Sequence, residues 1–200
     1  TLANRVVARI TTPLVRKANG AGESPPGDVI ADAMLEATAA PDSGGARVAL
    51  WNCGGIRADL VGGTAASPGA PIPVTYSQAF DVLPFGNRVI VCTVSGASLV
   101  KMLETGVFQV SRGVSYAYAA DGARRQRIDL ASLTVHGRPV DPAAPIRATT
   151  YDFIWSGGED VGVESADPLD AGADLDLFIE YLARRSPVAA GAQDRFIRRP

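Results

Sequence analysis

The amino-acid sequence predicts an α+β fold in which helices flank a mixed β-sheet. Helical and extended segments alternate along the 200 residues without internal repeats, and hairpin-like pairs of strands interrupt the helix–strand order. An apolar fraction of 46%, against 20% charged residues, is sufficient to build a hydrophobic core. Because no linker divides these segments, we expect residues 1–200 to form a single domain.

The first half of the chain contains two helix patterns and two strand patterns. A helix is predicted from about Asp28, which can cap it. Five apolar residues then recur on one helical face: Val29, Ile30, Ala33, Met34 and Ala37. The segment RVALW predicts a short apolar strand, and RVIVCTVSG is apolar on both faces, which is typical of the middle of a sheet. The segment SGASLVKMLETG predicts a helix that Ser95 caps and Gly106 ends.

The second half of the chain predicts two hairpins, a further strand and a closing helix. Asp121-Gly122 is a strong turn signal between two alternating strands, and His136-Gly137 has the character of a second hairpin tip. The segment PIRATTYDFI predicts another strand. The closing helix is expected to begin at Asp174 as its cap and to bury one apolar face, formed by Leu175, Phe178, Ile179 and Leu182.

Charge and hydropathy exclude two classes of partner. The net charge is −2 and no run of Lys or Arg is present, so a nucleic-acid polymer is not expected to bind. No apolar run approaches the roughly 18 residues of a membrane-spanning helix, so no membrane span is expected. The chain begins at Thr1 without Met or a signal-like segment, and we therefore expect it to be a fragment of a longer protein.

Cysteine and histidine are too scarce to predict a disulfide framework or a metal site. Cys92 lies within an apolar run, which predicts a small buried hydrophobic residue, whereas Cys53 can be either buried or reactive. The one histidine is His136. A zinc site, a dinuclear metal centre or a serine–histidine triad needs histidine in suitable company. We therefore expect no cofactor on this chain.

The segment NCGGIR follows the strand RVALW. Gly54 and Gly55 would let backbone N–H groups approach a ligand without a Cβ atom in the way. The Asn52 amide suits the edge of a heterocycle, and the planar Arg57 guanidinium suits ribose hydroxyls or phosphate. The alternative is a tight turn with a surface arginine.

The segment LPFGN precedes the central strand RVIVCTV. Phe85 stands between Pro84 and Gly86 on a stiff turn, where its ring can be exposed to a ligand. The alternative interpretation places the ring at the end of the hydrophobic core.

The segment DFIWSGGED follows the strand ending at Tyr151. Phe153 lies at its start, and Gly157-Gly158 leads to the acidic pair Glu159-Asp160. A glycine–glycine–acid turn can bind a metal or the diol of a ribose, and a solvated turn is the alternative.

Taken together, NCGGIR, LPFGN and DFIWSGGED resemble, in that order, the C-terminal domain of the 5'-nucleotidases, a family that includes the bacterial UDP-sugar hydrolases. The opening GESPPGDVIADAML and the ending DLDLFIEYLARRSPV are similar to the family as well. The resemblance runs over nearly the whole chain, and the order of three motifs makes it specific.

The resemblance implies a role in nucleotide recognition. It implies that Phe85 and Phe153 sandwich the base, that Asn52 contacts the base edge, and that Arg57 lies on the ribose–phosphate side. Glu159 falls where the family has an aspartate that binds the ribose hydroxyls. A separate N-terminal metallophosphoesterase domain, absent from this chain, would carry two divalent metal ions and hydrolyse the phosphate ester.

Two departures from the family pattern leave alternatives open. The family's Gly-Gly-Asp is Gly-Gly-Glu-Asp here, so either Glu159 or Asp160 can contact ribose. The family's arginine upstream of the Glu-Ser segment has no direct counterpart, and Arg16 or Lys17 would have to replace it.

The resemblance therefore implies the substrate-recognition domain of a secreted or periplasmic 5'-nucleotidase-like hydrolase, inactive by itself. Its partners would be a nucleotide or nucleoside and the N-terminal catalytic domain. Two alternatives remain: the equivalent domain of a sulfur-oxidation thiohydrolase, and a nucleotide-binding module without catalysis.

Overall fold

The computed structural model describes residues 1–120 and 126–199, with side chains described outside residues 120, 126 and 127. Within this part of the chain lie five α-helices, α1 to α5: Pro25–Thr38, Tyr76–Val82, Gly96–Leu103, Asp152–Trp155 and Asp174–Arg185. The strands β1 to β11 are Val6–Ile10, Val48–Asn52, Ile72–Thr75, Arg88–Ser95, Phe108–Val110, Val114–Ala120, Gln126–Val135, Arg138–Pro139, Pro145–Tyr151, Ser165–Ala173 and Phe196–Arg199. The predicted α+β fold with a mixed sheet is confirmed.

A five-stranded sheet in the order β10-β4-β9-β2-β5 brings the three sequence motifs to one edge. Strands β2 and β9 are parallel, with Val48 opposite Ala148, so their carboxyl ends lie side by side. Strand β4 is antiparallel to β9, with Val89 opposite Tyr151, so its amino end lies at the same edge. NCGGIR leaves β2, LPFGN enters β4 and DFIWSGGED leaves β9. The topology alone therefore gathers segments that are far apart in the chain.

Two smaller sheets complete the described β-structure. Strands β11, β6, β7 and β8 form one of them in that order, with β11 parallel to β6 and the other pairs antiparallel. Strand β1 pairs antiparallel with β3.

The hydrophobic core lies between the five-stranded sheet and the helices α1 and α5. Helix α1 contacts both β2 and α5. The side chains that meet there are almost inaccessible to solvent and include Ile30, Met34, Leu50, Trp51, Phe178 and Leu182. Each contributes about 1.5–3 kcal/mol through its burial, so the strand that carries Asn52 is firmly anchored.

Most of the local predictions are confirmed. The Ser95 side chain accepts a hydrogen bond from the Ser98 N–H at 3.0 Å, which caps α3. His136 and Gly137 both have positive φ, 51° and 73°, as a two-residue hairpin turn requires. Cys92 is buried, and Cys53 is an exposed free thiol. The turn predicted at Asp121-Gly122 lies outside the described residues.

Two predicted helix starts are wrong. Helix α1 begins at Pro25 rather than at Asp28, because proline lacks only an N–H that the first turn leaves unpaired. Asp174 is the first residue of α5 and not its cap, which is Ala173. The Asp174 carboxylate is buried and accepts hydrogen bonds from Leu175 N at 2.7 Å and Asn87 Nδ2 at 3.0 Å.

Candidate functional site

The edge of the sheet where the motifs meet contains a cleft of about 350 Å³. Eight residues from the ends of β2, β4 and β9 and the segments beside them line it: Asn52, Gly54, Gly55, Phe85, Asn87, Tyr151, Phe153 and Glu159. Clefts at the carboxyl ends of parallel strands are common ligand sites, because several chain segments leave the sheet together there.

Two phenylalanine rings stand at the cleft with much of their surface in solvent. Phe85 is 59% exposed and Phe153 is 49% exposed. The alternative in which Phe85 fills the end of the core is wrong, because the neighbouring Leu83 is buried instead. Gly86, at φ 65°, turns the chain so that the Phe85 ring points outward. Because both rings line the same cleft, they form an apolar surface that a flat ligand can cover.

Two neighbours fix the position of the Phe153 ring. The centre of the Tyr151 ring lies 6.3 Å from it, at an interplanar angle of 24°. A Cβ atom added to Gly158 would lie 2.5 Å from the Phe153 ring and 2.6 Å from the Phe153 carbonyl oxygen. Glycine at position 158 is therefore needed for this packing, which fixes where the ring stands.

Arg57 supports the Phe85 side of the cleft. Its guanidinium carbon lies 5.6 Å from the centre of the Phe85 ring, within the range of a cation–π contact. Its Nη1 atom donates to the carbonyl oxygen of Gly54 at 3.1 Å. Arg57 thus joins the glycine turn to Phe85, and its charge lies at the rim.

Asn52 joins the glycine turn to β9 and to the acidic turn. Its Oδ1 atom accepts hydrogen bonds from the Tyr151 hydroxyl and from Gly55 N, the latter at 2.9 Å. Its Nδ2 atom donates to Glu159 Oε1 at 3.1 Å. A Cβ atom at Gly55 would lie 2.7 Å from Asn52 Oδ1, so only glycine fits.

Burial raises the pKa of two groups, one in the cleft and one beside it. Burial, and after it the nearby Glu159 carboxylate, raises the pKa of Tyr151 above its ordinary value, so its hydroxyl stays protonated and can donate. Burial also raises the pKa of Asp174, which holds Asn87 at the cleft through the hydrogen bond to Nδ2.

The structure gathers six of the sequence-predicted site residues in the cleft and leaves five outside its lining. The six are Asn52, Gly54, Gly55, Phe85, Phe153 and Glu159, and the five are Arg57, Gly157, Gly158, Asp160 and Arg16. Arg57 and Gly158 act on the two rings as described above, and Glu159 rather than Asp160 lines the cleft. Arg16 lies at a separate pocket of about 120 Å³ beside Cys53, where its backbone N–H donates to Asp59 at 2.7 Å.

Sequence reasoning missed two lining residues, Asn87 and Tyr151. Both lie inside quoted segments, at the boundaries of β4 and β9 that meet at the cleft. Their position at strand ends was a usable signal once the neighbouring strands were known.

The cleft offers two flat rings, an amide and a carboxylate, which suit a flat heterocycle carrying hydroxyl groups. Among residues 1–120 and 126–199, no group of three or more His, Cys, Asp or Glu side chains could hold a metal ion. None of the helices described here is long and apolar enough to cross a membrane.

The comparisons with known proteins agree with one another. A trifunctional nucleotide phosphoesterase of Bacillus subtilis is 28% identical over 173 residues, covering 79% of this chain and 11% of that protein. A cell wall protein of Listeria monocytogenes is 30% identical over 199 residues, covering 90% of this chain and 24% of that protein. The crystal structure of a 5'-nucleotidase precursor from Thermus thermophilus superposes with a TM-score of 0.80 at 27% identity, over 98% of this chain and 40% of that one.

This chain thus corresponds to a minor part of each of these longer proteins. The family model described as the 5'-nucleotidase C-terminal domain matches residues 6–164. The chain belongs to the 5'-nucleotidase C-terminal domain family.

Proposed function

We propose that residues 1–200 form a domain that recognises the nucleoside part of a nucleotide substrate. The observation that carries this proposal is the pair of half-exposed rings, Phe85 and Phe153, that line one cleft together with the Asn52 amide. Stacking of a base on an aromatic ring contributes on the order of 1–3 kcal/mol and tolerates different bases. A clamp of two rings would therefore favour nucleosides broadly.

In this proposal each polar group of the cleft has one task. One N–H of Asn52 is bonded to Glu159, and the other, which has no partner among the described residues, contacts the base edge. The second carboxylate oxygen of Glu159 accepts from the ribose hydroxyls. Arg57, which lies beside Phe85, is assigned in this proposal to the side of the phosphate. No contact between Arg16 and the substrate is proposed, because Arg16 lies at a different pocket.

Hydrolysis of the phosphate ester is proposed to belong to another part of a longer protein, a metallophosphoesterase domain with two divalent metal ions. The relatives named as a nucleotide phosphoesterase and a 5'-nucleotidase precursor support this assignment. The relative named as a cell wall protein supports an extracellular or periplasmic location. The exposure of both rings disfavours the thiohydrolase alternative, since a carrier-bound sulfur substrate offers no base to stack.

The test is a calorimetric titration of the chain with adenosine and with AMP in the presence of EDTA, together with an assay of phosphate release from AMP with added Mg²⁺ or Mn²⁺. We expect saturable binding without metal and no phosphate release, because stacking needs no metal and the described residues hold no metal cluster. Absence of saturable binding would refute nucleoside recognition. Metal-dependent phosphate release would refute the assignment of catalysis to another domain.

A further inference from the structure

The two rings of the cleft have different supports. The centre of the Phe153 ring lies 6.3 Å from that of Tyr151, which is itself only 2% exposed. Among the described residues no aromatic ring stacks on Phe85, which is the more exposed of the two cleft rings. The charged neighbour of the Phe85 ring is the Arg57 guanidinium, whose carbon lies 5.6 Å from the ring centre.

Arg57 is tied to both segments that border this side of the cleft. Its backbone N–H donates to the carbonyl oxygen of Val82 at 2.9 Å, and Val82 ends the helix that leads into the Phe85 turn. Its Nη1 atom donates to the carbonyl oxygen of Gly54 at 3.1 Å. Its own carbonyl oxygen accepts a hydrogen bond from Arg16 Nη1 at 3.3 Å. The guanidinium is therefore held where it meets the Phe85 ring.

The contact leaves the ligand side of the ring open. Phe85 lines the cleft and Arg57 does not, so the guanidinium meets the ring from outside the cleft lining. Phe85 stands on a turn in which Gly86 has φ 65°, and most of its surface has no protein cover. Ordering an exposed side chain on binding costs free energy, and a ring that is already ordered avoids this cost.

From these contacts we infer that Arg57 is a positioning residue for the base, which holds the Phe85 ring in place by joining it to the glycine turn. The family resemblance implies a place for this arginine on the ribose–phosphate side. The contact with Phe85 gives it an effect on the base that needs no phosphate. This inference rests on the proposed nucleoside recognition and adds that Arg57 raises the affinity for a nucleoside without phosphate.

A double-mutant cycle between Arg57→Gln and Phe85→Leu tests it. The wild-type chain, the two single variants and the double variant are titrated with adenosine, which has no phosphate, and with AMP. Phe85→Leu keeps an apolar side chain and removes the ring that the guanidinium contacts. Arg138→Gln is the matched control for the loss of one positive charge, because Arg138 is an exposed arginine of β8, in a different sheet.

In Arg57→Gln we expect the affinity for adenosine to fall about two- to fivefold, the value of one exposed cation–π contact. In the Phe85→Leu background the same substitution leaves adenosine affinity unchanged, because the ring through which Arg57 acts is gone. Arg57→Lys, which keeps a cation that can lie over the ring, retains more of the affinity than Arg57→Gln. Arg138→Gln binds adenosine as the wild-type chain does.

Three results would overturn the inference while nucleoside recognition stands. A fall in affinity that is confined to AMP would assign Arg57 to the phosphate alone. An equal fall in adenosine affinity with and without the Phe85 ring would show that Arg57 acts independently of it. Equal adenosine affinities of Arg57→Lys and Arg57→Gln would exclude the cation–π contact as the cause. If adenosine does not bind to the wild-type chain at all, the proposed function itself fails and the inference with it.

Discussion

Replacing Phe153 by alanine is expected to weaken adenosine binding by about 1–3 kcal/mol, or about 5- to 150-fold in dissociation constant. The ring is 49% exposed and lines the cleft, so its removal costs little of the core but removes one wall of the proposed base clamp. Calorimetric titration of the wild-type chain and of Phe153→Ala with adenosine measures the change.

A matched control is available in Phe80, which is 44% exposed on α2 and does not line the cleft. Phe80→Ala removes a ring of similar exposure, and we expect it to leave adenosine affinity unchanged. If Phe153→Ala binds adenosine as tightly as the wild-type chain, with an unchanged circular dichroism spectrum, Phe153 has no part in a base clamp.

A second large effect is expected on stability, from Asp28→Asn. Asp28 is 1% exposed and lies in a buried cluster with Glu23, Asp32 and Arg195. Arg195 is bonded to both oxygens of Asp32, at 2.8 and 3.0 Å, and its Nε atom lies 3.7 Å from both Glu23 and Asp28. Arg112 lies 3.8 Å from Asp32 on the outer side. One buried guanidinium therefore faces three carboxyl groups.

A proton bound to Asp28 reduces this excess of negative charge. Burial raises the pKa of Asp28 to about 8; the charge of Arg195 opposes this, and the carboxylates of Glu23 and Asp32 add to it. Burial raises the pKa of Glu23 as well. Within the described residues, neither oxygen of Asp28 accepts a hydrogen bond, which fits a protonated group donating toward Glu23.

The sign of the pH dependence follows from these values. The pKa of Asp28 is about 8 in the folded chain, against 3.8 for an ordinary aspartate. Between these two values the folded state binds more protons than the unfolded state, so the free energy of unfolding falls as the pH rises through this range. Below the lower value both states are protonated, and above the higher value neither is, so the dependence levels off at both ends.

Asp28→Asn should remove this dependence, because an amide stays neutral and its N–H can donate to Glu23. We expect the difference in free energy of unfolding between the variant and the wild-type chain to grow in favour of the variant from pH 5 to pH 9, by on the order of 2–4 kcal/mol. Urea unfolding of both proteins at pH 5, 7 and 9 measures the difference. Asp81→Asn, at an exposed aspartate of α2, is the control and should follow the wild-type profile. Parallel profiles for Asp28→Asn and the wild-type chain would show that Asp28 does not hold the proton.

The parts of the fold that the sequence predicted correctly depend on local patterns. The apolar runs RVALW and RVIVCTVSG became β2 and β4, and Ser95 caps α3 through a contact three residues away. The predicted start of α1 was wrong because an aspartate suits a cap position, whereas the helix begins at Pro25, and proline is well accommodated in a first helical turn.

Other features depend on contacts that no local pattern reveals. The contacts of Tyr151 require the pairing of β9 with β2, which brings its ring onto Trp51 and its hydroxyl onto Asn52. Arg16 does not line the cleft, and its Nη1 atom instead donates to the Arg57 carbonyl oxygen at 3.3 Å. The buried cluster joins Arg195 to Glu23 across 172 residues of sequence. Each of these is decided by tertiary packing.

A structure of this chain with adenosine bound tests the central claim most directly. We expect the base to lie between the rings of Phe85 and Phe153, with Asn52 Nδ2 at about 2.7–3.2 Å from an acceptor atom of the base. A base bound outside the cleft, or stacked on one ring while protein covers the other, would contradict the clamp and with it the proposed function.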